Sequence, residues 1–339
     1  MFGRGWCRRI LITILAVPTT VIILFACSRI ITFAEIFGLF KPHSGIQITQ
    51  QDIAAAHKVK TNPKEPVVPK IIHQIYHNWH DANDDTLRQD WAAARKSCLD
   101  LHPGWQHMLW TTKSSRQFVE EKFPSFITVY DRYLYPVQKV DVIKYFVLRY
   151  YGGIYIDLDN GCAASLEPLR YYPAFTTDGG HGALSNNIIG GQAGHSFFSL
   201  LTDNLAPWQV SYFLPYVTIM YASGQWYFTA MWEKYHSLLS REPATLHGTK
   251  KTGLAPLHHI LMDMRPDSDP WVFFTQVDGN SWANWDNRIF SFIGDYIASI
   301  VLFMTIFAFL IGWGFMRYWT RRVHKMRFQA IISLGIATK

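Results

Sequence analysis

A chain of 339 residues that is 49% hydrophobic and 16% aromatic can fold one domain of roughly 250 residues around a full core and still carry extensions, which excludes a disordered polymer. Its net charge of +7 is confined to the two ends: residues 1–28 carry +3, residues 317–339 carry +6, and the stretch between sums to −2. That placement argues against a nucleic-acid binder, which would set its basic residues on the folded part.

In chain order, residues 1–9 form a basic tail and residues 10–28 an apolar run long enough to cross the hydrocarbon core, with Pro18 tolerable as a kink. A cleaved signal peptide is the alternative, although the run is long for one and Ala26-Cys27-Ser28 is a weak cleavage site. Residues 29–69, with Pro42, Pro63, Pro66 and Pro69, read as a stem. From Lys70 the pattern changes. A β-prone run predicts a strand over 71–76, then a helix over 87–98, a strand over 106–110 and a helix over 115–122. Apolar spacing predicts a helix with one buried face over 137–151, closed by Gly152-Gly153, and a short strand over 154–156 leading into Asp157-Leu158-Asp159. Strands alternating with helices imply an α/β domain over 70–290 with a mostly parallel sheet.

A second span is expected over 295–316. No charge falls between Ile297 and Met316, and Arg317-Tyr318-Trp319-Thr320-Arg321-Arg322 follows at once, the aromatic and basic flank of a cytosolic membrane boundary. The positive-inside rule then puts both tails, 1–9 and 317–339, in the cytosol and the domain across the membrane, in the lumen of a secretory compartment. That compartment would permit Cys98 and Cys162 to pair, but their spacing does not show that they are close.

Asp157 and Asp159 carry the chemistry. Alternate side chains of a strand share a face, so both carboxylates are expected together at the carboxyl edge of the sheet, where open α/β folds bind ligands. Such a pair suits a hard divalent cation, which could bridge the phosphates of a nucleotide-sugar. The same three-residue string also arises when one Asp caps a turn and the other is solvated. Asp141 and Lys144 share a helical face and could equally be a surface ion pair. His258-His259 and His73/His77 lack a zinc geometry and read as structural or surface residues.

The helix Asp141-Val142-Ile143-Lys144-Tyr145, the turn Tyr151-Gly152-Gly153, the strand Ile154-Tyr155-Ile156 and Asp157-Leu158-Asp159 together resemble the hallmark of retaining GT-A glycosyltransferases. Ser185-Asn186-Asn187, His195-Ser196-Phe197-Phe198, residues 214–220 and the two-span layout resemble one branch, the fungal mannosyl-inositolphosphorylceramide (MIPC) synthase catalytic subunits. The resemblance covers about residues 66–290. It implies a Golgi enzyme that moves mannose from GDP-mannose to the inositol of inositol phosphorylceramide, in sphingolipid biosynthesis, with Mn²⁺ or Mg²⁺. A small regulatory membrane subunit is the partner it implies. It makes Asp159 the main metal ligand and Asp157 a second ligand facing the ribose and the donor sugar. It places Asp141, Lys144 and Asn186 at the donor, with His73, Gln74 and Tyr76 on the strand beneath the nucleotide base.

Lys144 stands where the family usually has Arg, and Lys cannot copy the planar bidentate contact of Arg. The loop Gly279-Asn280-Ser281-Trp282-Ala283-Asn284-Trp285-Asp286 is similar to the family's loop over the diphosphate, with Ala283 in place of its His. Ser281 and Trp282 remain donor contacts there, and Asn284 or Asp286 could substitute for the missing ring. Membrane-interface anchoring is the alternative role of the two Trp residues. Tyr212-Phe213-Leu214 and Trp226-Tyr227-Phe228 are read mainly as core, with a part that would suit a lipid-borne acceptor. An α-mannosyltransferase of protein-linked glycans shares the central motifs. An inactive scaffold or regulatory relative is the reading from another class, which the departures at Lys144 and Ala283 keep open.

Overall fold

The computed structural model describes residues 4–38, 41–58, 65–79, 81, 83–241, 255–263, 268–279 and 282–336. They fall into two units, Met1–Trp282 and Ala283–Lys339.

The first unit opens with helix α1 (Arg4–Ile36), followed by β1 (Ile46–Thr49) and α2 (Gln50–Lys58). Then come β2 (Ile71–Tyr76), α3 (Gln89–Leu101), β3 (Gln106–Thr111), α4 (Thr112–Lys122), α5 (Ile127–Asp131), α6 (Pro136–Tyr151), β4 (Gly153–Ile156) and β5 (Asn160–Cys162). The unit continues through β6 (Ala174–Asp178), β7 (Ser185–Gly191), α7 (Ser196–Asp203), α8 (Leu205–Trp208), α9 (Pro215–Ala222), α10 (Gln225–Arg241), β8 (His258–Leu261) and β9 (Phe274–Gln276).

Seven strands form one sheet in the order β1-β8-β6-β7-β4-β2-β3. All neighbours pair in parallel except β7, which runs antiparallel to both β4 and β6. A single reversed strand inside a parallel sheet is the GT-A arrangement. It brings the carboxyl ends of β4 and β6 to one edge, beside the amino end of β7. β5 and β9 make a separate antiparallel pair.

The expected strands and helices of residues 71–156 form, with boundaries moved by at most three residues. Two findings differ from the sequence pattern. Within the expected stem, Ile46–Thr49 joins the sheet edge beside β8, and α2 buries Gln50 and Ile53. The prolines at 63, 66 and 69 flank this pair of elements, while alternation in Ile-Gln-Ile-Thr supplies the strand. Helix α6 is not a one-faced helix: Asp141 through Leu148 are all buried, because the sheet packs on one side and α7 and α9 on the other.

The turn from α6 into β4 requires glycine at two successive positions. Gly152 (φ +65°) caps α6, and a Cβ there would lie 2.5 Å from the Ala193 nitrogen. Gly153 (φ +99°) would lie 2.6 Å from the Ile71 carbonyl. These contacts let β4 start against β2 within one residue of the helix end.

Helix α1 runs through the expected first span, and among the described residues an apolar, largely exposed window covers Val17–Ile36. The end of α1 packs on the domain, with Ile36 buried beside Met220 and Trp226. The second unit holds α11 (Asn287–Asp295) and α12 (Ile297–Ile336), whose apolar window Ser299–Val323 has no buried residue. A core helix of a soluble protein would bury such a stretch. Both helices are long and apolar enough to cross a bilayer.

Candidate active site

The site forms where β4 ends. Strand geometry stops at Ile156. The Asp157 nitrogen donates to the Asn187 carbonyl at 2.8 Å, and the Asn160 nitrogen donates back to the Asp157 carbonyl at 2.9 Å. Asp157-Leu158-Asp159-Asn160 is therefore a turn, and the expectation that both aspartates lie on one strand face is corrected. The turn is needed because β5 must leave the main sheet to pair with β9. It keeps the two carboxylates close enough for the charge of Asp157 to act on Asp159.

Lys144 reaches this turn from α6. Its Nζ lies 3.1 Å from Asp157 Oδ1, 3.3 Å from Asp141 Oδ1 and 3.4 Å from the Asn186 carbonyl, over the ring of Tyr155 at 5.1 Å. Lys144 and Asp141 are each 4% exposed, so the surface ion pair is ruled out. Asp141 accepts from Asn186 Nδ2 at 3.0 Å and from Ser223 Oγ at 3.1 Å. Tyr145 donates to the Ser223 carbonyl at 2.7 Å and accepts from Asn186. The Tyr155 hydroxyl donates to Asp157 Oδ1.

The charges do not balance. Burial pushes Asp141 up to about 6, with Lys144 opposing and Asp157 adding to the shift. Burial would lower Lys144, but Asp157 and Asp141 raise it, so it stays an ammonium. Burial and then the charge of Asp157 push Asp159 up to about 7, against Lys144 and Arg88. Asp159 Oδ1 is buried with no hydrogen-bond partner.

The far wall is the segment after β9. The Val277 nitrogen donates to the Asp159 carbonyl at 2.8 Å, and a Cβ on Gly279 would stand 2.1 Å from Asp159 Oδ2. The start of α3 holds this segment. Arg88 and Trp91 both donate to the Asp278 carbonyl, Trp91 Nε1 at 3.1 Å, and Arg88 stacks over the Trp91 ring. Cys98 and Cys162 form a disulfide, Cα atoms 4.8 Å apart, which ties α3 to β5 directly behind the turn.

The structure thus brings together Asp141, Lys144, Asn186, Asp157 and Asp159. Tyr76 ends β2 on the same sheet edge, its ring 6.3 Å from Trp91. Gln74 is buried, with Oε1 accepting from Arg95 at 2.7 Å and Nε2 without a partner. His73 is committed elsewhere: Nε2 donates to the Gly152 carbonyl at 2.8 Å, Nδ1 accepts from Trp110 at 3.1 Å, and burial drives its pKa down to about 4. A neutral ring with both nitrogens engaged in the core has nothing to offer a donor, and that expectation is corrected. Trp282 stacks on Tyr216 at 6.0 Å. Ser281 lies outside the described residues. Asn284 and Asp286 belong to the second unit, where Asp286 precedes α11.

Sequence reasoning missed Tyr155, Tyr145, Arg88 and Trp91 as parts of the site. Alternation along β4 could have found Tyr155, which lies two residues before Asp157. Nothing local marks Arg88 or Trp91, whose partner is 190 residues away for Arg88 and 187 for Trp91.

Known proteins resemble this chain in sequence. Residues 88–176 match the family described as the glycosyltransferase sugar-binding region containing DXD motif, a stretch that includes both aspartates, Asp141 and Lys144. The chain is similar to inositol phosphoceramide mannosyltransferase 2 of Schizosaccharomyces pombe, 34% identical over 80% of this chain and 76% of that one. It is also similar to mannosyl phosphorylinositol ceramide synthase SUR1 of Saccharomyces cerevisiae, 31% identical over 82% and 72%. Among solved structures, the PaToxG glycosyltransferase overlaps 57% of this chain and 81% of that one, at 16% identity and a TM-score of 0.37.

Proposed function

Since this chain belongs to the inositol phosphoceramide mannosyltransferase family of glycosyltransferases, we propose that it transfers mannose from GDP-mannose to the inositol of a phosphoceramide, with retention at the anomeric carbon. The observation that carries the reading is the buried excess of negative charge at the β4 turn, where Asp141, Asp157 and Asp159 meet one ammonium and Asp159 Oδ1 meets no donor. A half-buried, unsatisfied carboxylate beside a second one fits a hard divalent cation, an all-oxygen donor set completed by substrate phosphates. Among the described residues no group of three or more metal-ligating side chains is assembled, so substrate oxygens would have to complete the donor set. When bound, Mn²⁺ or Mg²⁺ would offset the charge of the leaving GDP.

The chain's own residues do the rest. Lys144 fixes Asp157 and Asp141 in one place, and the Tyr155 hydroxyl holds the same Asp157 oxygen from the other side. Asp141 retains acceptor capacity for sugar hydroxyls, while Asn186 and Ser223 fix its plane. Lys144 supplies this anchoring as a point charge with three donors, where the family's Arg would supply a flat fork. The segment 277–279 packs against Asp159 and would help to keep water from a bound diphosphate.

The disulfide supports an oxidising compartment for the catalytic unit, and the basic ends of the sequence suit the cytosol, as in a Golgi enzyme. A small regulatory membrane subunit belongs to the same proposal. The test is a transfer assay with the full chain in membranes, GDP-mannose and inositol phosphoceramide, with and without EDTA. Mannosylated ceramide that disappears with chelator is the expected product. Transfer only to a protein-linked glycan acceptor would move the assignment, and inactivity with every nucleotide-sugar would leave a scaffold.

A further inference from the structure

Between Asp203 and Glu233 the chain carries no charged residue. Most of this stretch is core: Trp226, Tyr227, Phe228 and Trp232 are buried. The exception is the loop between α8 and α9, where Val210 is 48% exposed, Tyr212 37% and Phe213 99%. A lone exposed apolar side chain is ordinary. Phe213 differs because its backbone is in the left-handed region (φ +66°), the only non-glycine residue there among the described residues. A bulky L-residue takes that conformation at a cost, and here the surroundings enforce it. The Leu214 nitrogen donates to the Tyr212 carbonyl at 2.8 Å, the Tyr212 nitrogen donates to Thr218 Oγ1 at 2.9 Å, and Gln209 Nε2 donates to the Val129 carbonyl at 3.0 Å. The loop is pinned, and the phenyl ring at its tip points away from everything.

The loop connects ring by ring to the first membrane helix. Tyr212 lies 5.4 Å from Tyr221, Tyr221 lies 4.9 Å from Trp226, and Trp226 lies 5.4 Å from both Phe33 and Phe37 at the end of α1. The apolar window of α1 ends at Ile36, within this same cluster.

We propose that residues 210–214 insert Phe213 into the lipid monolayer that α1 enters, so that the domain is held to the membrane at a second point. The occupant is the boundary between lipid headgroups and acyl chains. An uncharged loop with an aromatic tip and flanking Tyr212 suits that zone, and continuity with α1 places it there. The consequence for the acceptor rests on the function proposed above. Helix α9 runs from this loop to Ser223, the residue that bonds Asp141, and its eight residues span about 12 Å. A lipid headgroup rising beside the inserted ring would thus meet the carboxylate cluster without the ceramide leaving the bilayer.

The test uses the full chain with Cys7→Ser and Cys27→Ser, the disulfide intact, and Phe213→Cys labelled with an environment-sensitive nitrobenzoxadiazole probe. It is reconstituted into phosphatidylcholine vesicles with and without lipids carrying a spin label near the top of the acyl chain. A probe at Glu120→Cys, on an exposed face of α4, is the comparator. The expected result is a blue-shifted emission at 213 that the spin-labelled lipid quenches and salt does not reverse, against an unshifted emission at 120. Emission at 213 matching that at 120 would overturn insertion, as would a blue shift that the lipid quencher leaves untouched, the mark of a protein partner or second copy. In parallel, Phe213→Asp should lose transfer to vesicle-borne phosphoceramide several-fold and keep transfer to a detergent-dispersed short-chain acceptor. If neither protein transfers mannose but the probe is quenched, the function proposed above fails and the insertion stands.

Discussion

At Glu233 a partly buried carboxylate meets three donors, whereas at Asp159 a buried carboxylate oxygen meets none. The first lies in a cluster built from α10, β6, β8 and the segment after α1. His43 contacts Glu233 at 3.3 Å through Nδ1 and the Gly182 carbonyl at 2.7 Å through Nε2, two acceptors that favour the protonated ring. Burial would lower the pKa of His43, but Glu233, the Gly182 carbonyl and Asp178 raise it. Burial would raise Glu233, but His43 and Ser44 hold it down at about 2. Asp178 is likewise held low: burial is outweighed by His259 at 2.8 Å and the Gly180 nitrogen. In the second cluster three carboxylates share Lys144, and Asp141 and Asp159 are pushed up. Buried charge that is matched within the chain fixes structure, here the docking of the chain leaving α1. Buried charge left unmatched destabilises the fold unless a ligand completes it, which marks a site.

The largest effect is expected from Asp159→Asn. Transfer should fall about 10²–10³-fold, the scale of a lost electrostatic contact to developing charge. The thermal midpoint should hold or rise, because the variant removes an unsatisfied charge. A parallel loss of stability would make Asp159 a structural residue like Glu233 and erase the contrast.

Lys144→Met should cost about 3–5 kcal/mol of stability by leaving Asp141 and Asp157 buried without a cation. Lys144→Arg should fold, and its kcat reports whether the flat fork improves on the ammonium. Glu233→Gln should cost about 2 kcal/mol, the worth of hydrogen bonds to a charged group, and leave transfer per folded molecule unchanged. Its pH dependence has a defined sign. Glu233 sits below its ordinary 4.5, so its contribution is full above pH 4.5 and is lost as pH falls toward 2. His43 sits above its ordinary 6.5, so its contribution is full below pH 6.5 and is lost as pH rises through the folded value. Thermal midpoints of wild type and Glu233→Gln should therefore differ most between pH 4.5 and 6.5. The smallest free-energy effect is expected from Tyr155→Phe, which removes one donor from Asp157: about 1 kcal/mol, read as about fivefold in kcat.

The β-branched run at 71–76, the helix spacing of α6 and Gly152-Gly153 declare themselves locally, and the central strands and the Asp-x-Asp position were legible for that reason. The β1 edge strand was not. Four residues next to a proline-rich stretch carry little signal until β8, more than 200 positions on, offers a partner. The burial of Asp141 and Lys144 was hidden because an apolar stripe shows only one packed face, while α7 and α9 cover the other from distant sequence. His73 misled in the opposite direction: its place on the donor-side strand suggested contact, but Trp110 and Gly152 occupy both nitrogens. The two cysteines could be named as candidates, yet only the approach of α3 to β5 makes them partners.

The most direct test of an incomplete charge at the β4 turn is Mn²⁺ binding by the full chain, followed by electron paramagnetic resonance as pH is varied. Asp159 sits at about 7, above its ordinary 3.8, so between those values the metal-free folded chain holds a proton that the unfolded chain has lost. Its stability therefore falls with rising pH in that window, and a cation must displace the proton. The expected result is Mn²⁺ affinity that climbs about tenfold per pH unit up to about 7, then levels off, and is lost in Asp159→Asn. Mn²⁺ binding unchanged by Asp159→Asn, or no binding with GDP present, would contradict it.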